Sequence, residues 1–345
     1  FYLAAQCKGL GAIIEVWAGM ETRVAGLVAA LLVIWLTAGA GIRSDMYTDV
    51  LHFWAMVVTI AAACVIEIAR LGGLGGLATA LAAQYGGTAA ALDPYAFGGA
   101  SYVWMGILVG SFLGLPSMEV WQRVDAAKGE RDARRAFFWA GVLNAAFFTA
   151  AVLLGLVARA ALTGDIPKNQ VLFRLLEHTL PPGLLGLAVV GAYAAFMSTA
   201  NSMLMVAVAA ILADLIYLKP DRLGRQRAIL GVTRRLTWGV GVAGLLIAWA
   251  RPDIVKLIMT ALWGSGVLLP AILGGFFWRR ATSAGALWSV VVGFLLTTGL
   301  GFWWKDDPYW SANYWIPGLG VTVAVFVLVS LATRQRKGEA RDFGP

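Results

Sequence analysis

The sequence has few charged residues, few histidines and few cysteines. Only 13% of its 345 residues are charged, about half the share found in a typical soluble domain. The two histidines, His52 and His178, are too few for haem pairs or a catalytic zinc. Cys7 and Cys64 lie in apolar segments and provide neither a disulfide framework nor a thiol metal site. The sequence also lacks HExxH, GxSxG and P-loop motifs. We therefore expect neither an enzyme active site nor a cofactor.

Long hydrophobic runs are what the sequence has in abundance. Hydrophobic residues make up 60% of the chain, and many runs of about 20 residues are long enough to cross the hydrocarbon layer of a bilayer. Backbone polar groups must be paired in lipid, and these runs lack strict alternation, so they predict helices rather than a barrel. The predicted spans are residues 1–17, 24–40, 48–69, 101–115, 136–160, 184–212, 232–250, 254–277, 283–304 and 316–333.

No stretch with the composition of a soluble domain separates these runs. We therefore expect an all-α polytopic membrane protein with a single transmembrane domain at residues 1–333, with nearly all spans complete and the first one partial. Residues 334–345 would form a cytoplasmic tail, and residues 77–85 a short interfacial helix. Because Phe1 stands in the middle of an apolar run, we expect the chain to be N-terminally incomplete.

The net charge of +8 is carried mainly by residues between the apolar runs, which indicates cytoplasmic loops rather than a nucleic-acid-binding face. Eighteen Lys and Arg residues fall in alternate loops on one side of the predicted bundle and eight on the other. Since short cytoplasmic loops are enriched in these residues, the bias places the C-terminus in the cytoplasm. We expect an integral protein of a bacterial cytoplasmic membrane, in contact with the lipid bilayer.

Hydroxyl residues lie on one face of the predicted span at residues 184–212. Ala195, Ser198, Thr199 and Ser202 follow an i, i+3, i+4, i+7 spacing, which puts them on one side of a helix. Such hydroxyl oxygens, with carbonyls from an unwound helix, would suit a small hard cation. Two other interpretations are open: the hydroxyls bond back to carbonyls of their own helix, or they aid close helix packing. Spacing alone favours these two interpretations over a cation site.

A second unusual segment ends the span at residues 101–115. Three glycines at four-residue spacing are followed by a proline: Gly106, Gly110, Gly114 and Pro116. Interrupted helices of this kind line binding sites in transporters, but the same spacing also fits GxxxG helix packing. In an interrupted helix, Glu119 would face a cavity beside Ser117. Otherwise Glu119 belongs to a solvated loop that begins at Gln122.

A third polar feature is Asp49, at the predicted cytoplasmic start of the span at residues 48–69. Its carboxylate would interact with a cation leaving toward the cytoplasm. Alternatively, Asp49 is an N-cap whose charge is favourable at a helix N-terminus. The residues alone favour the cap.

Four segments, in order along nearly the whole chain, resemble the sodium/solute symporter family, which includes the proline, sugar, pantothenate and sialic acid carriers. Residues 40–51 are similar to its GG-L-x-A … TD-x-x-Q stretch, and residues 122–135 to its Q-R-x-x-A-A-K-x-x-x-x-A-R-R loop. Residues 195–202 are similar to its A-x-M-S-T-A-D-S segment, and residues 261–280 to its G-x-x-x-G-P … W-K-R stretch. No single motif is decisive, but four in the right order indicate the family.

The resemblance implies a leucine-transporter-type fold with two inverted five-helix repeats. It also implies sodium-coupled symport of a small organic solute by alternating access. Ala195, Ser198 and Thr199 match sodium-coordinating positions of the family. Asp49 matches an acidic residue linked to sodium passage at the cytoplasmic end. The residues expected to border the substrate cavity are Gly110, Ser117, Glu119, Trp263 and Ser265.

The sequence departs from the family pattern at several positions. Asn201 replaces the usual Asp, Ala40 replaces a Gly, and His52 stands where Gln is common. By the resemblance, the first two core helices precede Phe1, and the first of them supplies further sodium ligands. Either the protein extends upstream, or it is a degenerate transporter. The alternative function is a non-transporting sensor or assembly subunit that keeps the symporter fold and works with a partner subunit.

Overall fold

The computed structural model describes residues 1–39, 42–96, 98–112, 114–162, 164–215, 226–250, 253–304 and 306–334, apart from the side chains of residues 39, 42–49, 119, 122–123, 214–215 and 226–229. Every regular element within these ranges is helical, which confirms the predicted all-α class. The helices are α1 Tyr2–Ala18, α2 Thr22–Gly39, α3 Ile42–Arg70, α4 Gly73–Tyr85, α5 Thr88–Ala91, α6 Gly99–Gly110, α7 Met118–Asp125, α8 Glu130–Ala161, α9 Val171–Thr179, α10 Pro182–Ala210, α11 Gln226–Ala250, α12 Ile254–Gly266, α13 Leu269–Phe277, α14 Ser283–Trp303, α15 Trp310–Asn313 and α16 Trp315–Ala332.

Six helical stretches among the described residues are long and apolar enough to cross a membrane. They are Val50–Arg70, Glu130–Ala161, Pro182–Ala213, Ile254–Phe277, Ser283–Trp303 and Trp310–Ala332, and each coincides with a predicted span. Two shorter apolar helices match two more predicted spans, and α1 and α11 match the remaining two. The short helix predicted at residues 77–85 is α4, four residues longer than expected, and its place at the membrane interface stays a prediction. The single transmembrane domain at residues 1–333 stays a prediction.

Three details differ from the sequence prediction. The span at residues 254–277 is interrupted, because α12 ends at Gly266 and α13 begins at Leu269 with a proline in its first turn. The loop predicted to begin at Gln122 begins only after Asp125, where α7 ends. Helix α9 was not predicted, because its nine residues are too few to give the hydropathy signal of a span.

The chain forms two compact units, and each is described by itself. Unit 1 contains Phe1–Leu92 and Ala126–Leu257, and unit 2 contains Asp93–Asp125 and Ile258–Pro345. In unit 1, α1 is buried on most of its surface, and its small residues allow close neighbours. A Cβ at Gly9 would lie 2.2 Å from the ring of Phe196 on α10. This close packing of α1 against α10 fixes the position of α10, which carries the predicted cation residues.

A second core of unit 1 joins α3, α4, α8 and α9 and has a buried carboxylate at its edge. Glu67, in the last turn of α3, has a side chain that is only 4% exposed. Its Oε2 accepts a hydrogen bond from Thr179 Oγ1 at 3.1 Å and pairs with Arg70 Nη1 at 3.2 Å. Because a buried charge is costly without partners, these contacts stabilise the junction of α3 with the end of α9.

Unit 2 is built on the close packing of α14 against α16. Small residues of the two helices face each other, so their backbones approach closely. A Cβ at Gly293 of α14 would lie 2.1 Å from Thr322 Oγ1 of α16, and one at Gly318 of α16 would lie 2.1 Å from Thr297 Oγ1 of α14. The two helices therefore leave no room for a methyl group at either glycine.

Candidate cation and substrate sites

The predicted cation residues lie on α10, which runs unbroken through Pro182–Ala210. Pro182, in its first turn, does not destabilise the helix, because the N–H that proline lacks would have no partner inside the helix at this position. Met197 and Leu204 lie on the buried face of α10, in the core of unit 1. Ser198 and Thr199 lie beside this face and are partly exposed. The unbroken helix therefore presents their hydroxyls next to, rather than inside, the apolar core.

The hydroxyls of Ser198 and Thr199 differ in their hydrogen bonding. Thr199 Oγ1 donates to the carbonyl oxygen of Ala195 at 3.0 Å, which is the back-bonding that the sequence left open. The hydroxyl of Ser198 has no hydrogen-bond partner among the described residues. In a continuous helix the Ala195 carbonyl also accepts the backbone N–H of Thr199. The hydroxyl oxygens, which keep their lone pairs, are therefore readier cation ligands than this carbonyl.

Asn201, which stands where the family has Asp, connects α10 to α2. The hydroxyl of Thr37 lies within hydrogen-bonding distance of Asn201 Oδ1, and it is also 2.7 Å from the carbonyl oxygen of Val33. Thr37 is only 7% exposed, so this polar contact joins two helices in a buried place. Sequence analysis missed Thr37, because a lone threonine in an apolar span carries no signal of an interhelical contact.

We predict that Thr37→Val lowers the melting temperature of the protein, by the equivalent of about 0.6–1.7 kcal/mol for an interhelical hydrogen bond in a membrane protein. Thr149→Val is the matched control, because Thr149 Oγ1 also bonds to the carbonyl four residues earlier, at 2.8 Å, but is exposed. Thermal unfolding of the detergent-purified variants measures the difference. Equal melting temperatures for the two variants would contradict a stabilising contact between Thr37 and Asn201.

Two predicted site residues, Asp49 and Glu119, have side chains outside the described part of the chain. Their roles in sodium passage and in the substrate cavity stay predictions. The backbone of Asp49 is described, and it lies seven residues after the first residue of α3, Ile42. An N-cap precedes the first turn, and the helix dipole acts only within that turn. The capping interpretation of Asp49 is therefore wrong.

Of the two interpretations of the segment near Gly110, the structure favours the interrupted helix. Helix α6 ends at Gly110 and α7 begins at Met118. A Cβ at Gly110 or at Gly114 would meet no atom within 4 Å, whereas one at Gly106 would lie 3.8 Å from the ring of Trp263. Gly106 therefore faces Trp263 of α12 with room for a methyl group, and no close glycine packing is present at any of the three positions.

Ser117 immediately precedes α7, whose first turn folds back on the interruption. The carbonyl of Ser117 accepts the backbone N–H of Val120 at 3.0 Å. Trp121 Nε1 donates to the carbonyl oxygen of Leu115 at 2.8 Å. The interrupted segment is thus held by side-chain and backbone contacts of α7.

Trp263 of α12 lies in an aromatic cluster of unit 2. Its ring stacks on Trp315 with a centroid distance of 4.1 Å and an interplanar angle of 9°, and the ring of Tyr102 meets it edge-on at 6.4 Å. Trp263 is only 7% exposed. Ser265 Oγ, predicted to border the cavity, donates to the carbonyl oxygen of Leu262 on its own helix at 2.8 Å. The structure brings Trp263 next to α6, while Ser265 bonds within α12.

The predicted site residues fall into two groups. Those for the cation lie in unit 1, and those for the substrate lie in unit 2: Gly110, Ser117, Glu119, Trp263 and Ser265. Within unit 2, Gly106 and Val109 of α6 contact α12, so the interrupted segment and the segment with Trp263 are neighbours.

The chain is similar to known transporters. The model of the sodium:solute symporter family matches residues 1–293. The sodium/pantothenate symporter of Escherichia coli (strain K12) is 25% identical over 339 residues, which cover 94% of this chain and 68% of that protein. The sodium/proline symporter of Haemophilus influenzae is 27% identical over 192 residues, which cover 52% of this chain and 36% of that protein.

The fold also matches a solved structure. A sodium-coupled sialic acid symporter in a substrate-bound, outward-open state superposes with a TM-score of 0.71, over 97% of this chain and 72% of that chain, at 18% identity. This similarity confirms the predicted leucine-transporter-type helix bundle. Together with the family match over residues 1–293 and the membrane-length helices, it shows an integral membrane protein of the transporter class rather than an enzyme. The chain therefore belongs to the sodium:solute symporter family.

Proposed function

We propose that this protein is a secondary active transporter that couples the inward flow of sodium to the uptake of a small organic solute by alternating access. The observation that carries the proposal is the family match, which spans residues 1–293. The matched bundle fold supports it independently of the sequence motifs. Nothing in the described ranges favours the alternative, a non-transporting sensor or assembly subunit.

The proposed sodium site is centred on Ser198 and Thr199, with Ala195 beside them. Two observations support this assignment: among the described residues the Ser198 hydroxyl has no partner, and the Thr199 hydroxyl bonds to the Ala195 carbonyl of its own helix at 3.0 Å. The Thr199 bond to Ala195 uses the proton of the hydroxyl and leaves its oxygen lone pairs for sodium. The remaining ligands would come from another segment of the protein, and Asp49 would lie on the exit path to the cytoplasm.

The proposed substrate region is bordered by the interrupted segment after Gly110, with Ser117 and Glu119, and by the part of α12 that carries Trp263 and Ser265. The break between α6 and α7 supports this role, because discontinuous helices line the binding sites of transporters. The stacked ring of Trp263 would form an apolar wall. Coupling requires sodium to favour the conformation that binds the solute, since a ligand shifts an equilibrium only through its differential affinity.

Uptake by proteoliposomes that contain the purified full-length protein tests this function. Radiolabelled amino acids, sugars and carboxylates would be offered with an inward sodium gradient, an inward proton gradient or no gradient. We expect accumulation of one solute class with the sodium gradient, and its loss when a sodium ionophore is added. Accumulation driven only by protons would contradict sodium coupling. Specific solute binding without accumulation under any gradient would favour the sensor.

A further inference from the structure

One end of unit 1 contains a cavity of about 920 Å³ that is separate from the proposed cation residues. It lies between α1, α2, the segment before α9 and the last turns of α11. Its apolar wall includes Leu27, Leu245 and Trp249, and its lining includes four charged residues: Lys8, Glu15, Glu21 and Arg23. A volume of this size is within the range of small-molecule sites.

Lys8 is the most unusual residue of this cavity, because it lies inside a largely buried, apolar helix. Charged residues within membrane spans are costly and mark functional positions. Lys8 Nζ donates to the carbonyl oxygen of Ala248 at 3.3 Å and has no other hydrogen-bond partner among the described residues. An ammonium group has three donors, so Lys8 keeps donors for a ligand. Glu15 lies seven residues further, on the same helical face.

The rim of the cavity carries both signs of charge. Glu21, just before α2, and Arg23, in the first turn of α2, are exposed, and Glu15 Oε1 accepts a hydrogen bond from Thr22 at 2.7 Å. Two cations and two carboxylates therefore face one cavity. A ligand with one phosphate and one ammonium group matches this arrangement, whereas an inorganic anion would leave the carboxylates unmatched.

An apolar stripe on α2 continues from the cavity. Val24, Leu27, Leu31 and Trp35 are 44%, 37%, 42% and 66% exposed, and their spacing of three and four residues puts them on one side of the helix. Val24 and Leu27 also line the cavity. The stripe gives the ligand a place for an acyl chain, which a water-soluble solute lacks.

We propose that this cavity binds one phospholipid with a zwitterionic headgroup that carries a primary ammonium. The phosphate lies against Lys8 and Arg23, the ammonium against Glu15 and Glu21, and one acyl chain along the α2 stripe. A primary ammonium donates hydrogen bonds to carboxylates, which are strong when both groups are charged. A quaternary ammonium has no such donor, so the site prefers phosphatidylethanolamine to phosphatidylcholine.

Native mass spectrometry of the delipidated full-length protein tests this site, with palmitoyl-oleoyl phosphatidylethanolamine, phosphatidylcholine or phosphatidylglycerol added. We expect one phosphatidylethanolamine per protein, bound about tenfold more tightly than the other two lipids. Glu15→Gln combined with Glu21→Gln is expected to abolish the preference over phosphatidylcholine. Equal binding of all three lipids to the unmodified protein would overturn the proposal, as would displacement of the lipid by inorganic phosphate.

A cavity-filling variant locates the lipid. Gly26 lines the cavity, and a Cβ there would meet only Trp249 Nε1, at 3.8 Å, so Gly26→Leu is expected to fill part of the cavity. Gly155→Leu is the matched control on α8, where a Cβ would meet no atom within 4 Å. We expect Gly26→Leu to lose the bound lipid and Gly155→Leu to keep it. Retention of the lipid by both variants would overturn this location, and the carboxylate variants test the site even if Gly26→Leu fails to fold.

Discussion

Replacing Thr199 by alanine is expected to raise the sodium concentration for half-maximal uptake by about tenfold or more, with little change in expression. The substitution removes one of the two hydroxyl oxygens of the proposed sodium site, and tenfold corresponds to about 1.4 kcal/mol of lost binding. Packing gives no reason for such a change, because Thr199 is only partly buried and its hydroxyl bonds to its own helix at 3.0 Å. Initial rates of solute uptake at graded sodium concentrations measure the effect.

Two variants separate a sodium ligand from a helix-packing residue. Thr199→Ser keeps the hydroxyl and is expected to restore most of the sodium affinity. Thr149→Ala removes a hydroxyl with the same back-bonding geometry on α8, at 2.8 Å, and is expected to leave sodium dependence unchanged. If Thr199→Ala and Thr149→Ala gave the same sodium dependence as the unmodified protein, the assignment of Thr199 to a sodium site would be wrong.

Hydropathy predicted the membrane-length helices well because a single physical requirement, a long apolar run, determines them. A span needs about 20 apolar residues, and each of the ten predicted spans overlaps a helix in the described ranges, although the span at residues 254–277 is divided into α12 and α13. The short helices were harder. Helix α9 has only nine residues, and α7 has a polar composition that resembles a loop. The division at Gly266 was missed because the residues on both sides are equally apolar, so hydropathy alone does not mark it.

The residues of the candidate sites could be predicted from the sequence only in part. Spacing placed Ser198 and Thr199 on one helical face, but it favoured back-bonding, which Thr199 indeed shows. The resemblance to the family, which the match over residues 1–293 confirms, made sodium coordination the preferred interpretation of the same residues. Neither signal pointed to Thr37 or Lys8, because their contacts join helices that are far apart in sequence. Such contacts require the packed structure.

The close packing of α14 against α16 in unit 2 leads to the second large prediction. Gly293→Ala is expected to destabilise the protein by about 2–3 kcal/mol, as overpacked core substitutions do, and to lower its melting temperature. The new Cβ would lie 2.1 Å from Thr322 Oγ1 and 2.8 Å from Val267 Cγ1. Thr322 is fully buried, and its hydroxyl is held by the carbonyl oxygen of Gly318 at 2.7 Å. The helices must therefore move apart to admit one methyl group.

Gly299→Ala on the same helix is the control, because a Cβ there would meet no atom within 4 Å and alanine favours helices more than glycine does. We expect its melting temperature to equal or exceed that of the unmodified protein. Adding Thr322→Ala to Gly293→Ala removes the nearest clashing atom and should restore part of the stability. The rescue would be incomplete, since Thr322 Cβ and Val267 Cγ1 remain 3.0 Å and 2.8 Å from the new methyl group. If Gly293→Ala unfolded at the same temperature as Gly299→Ala, close packing of α14 on α16 would not limit the stability of the bundle.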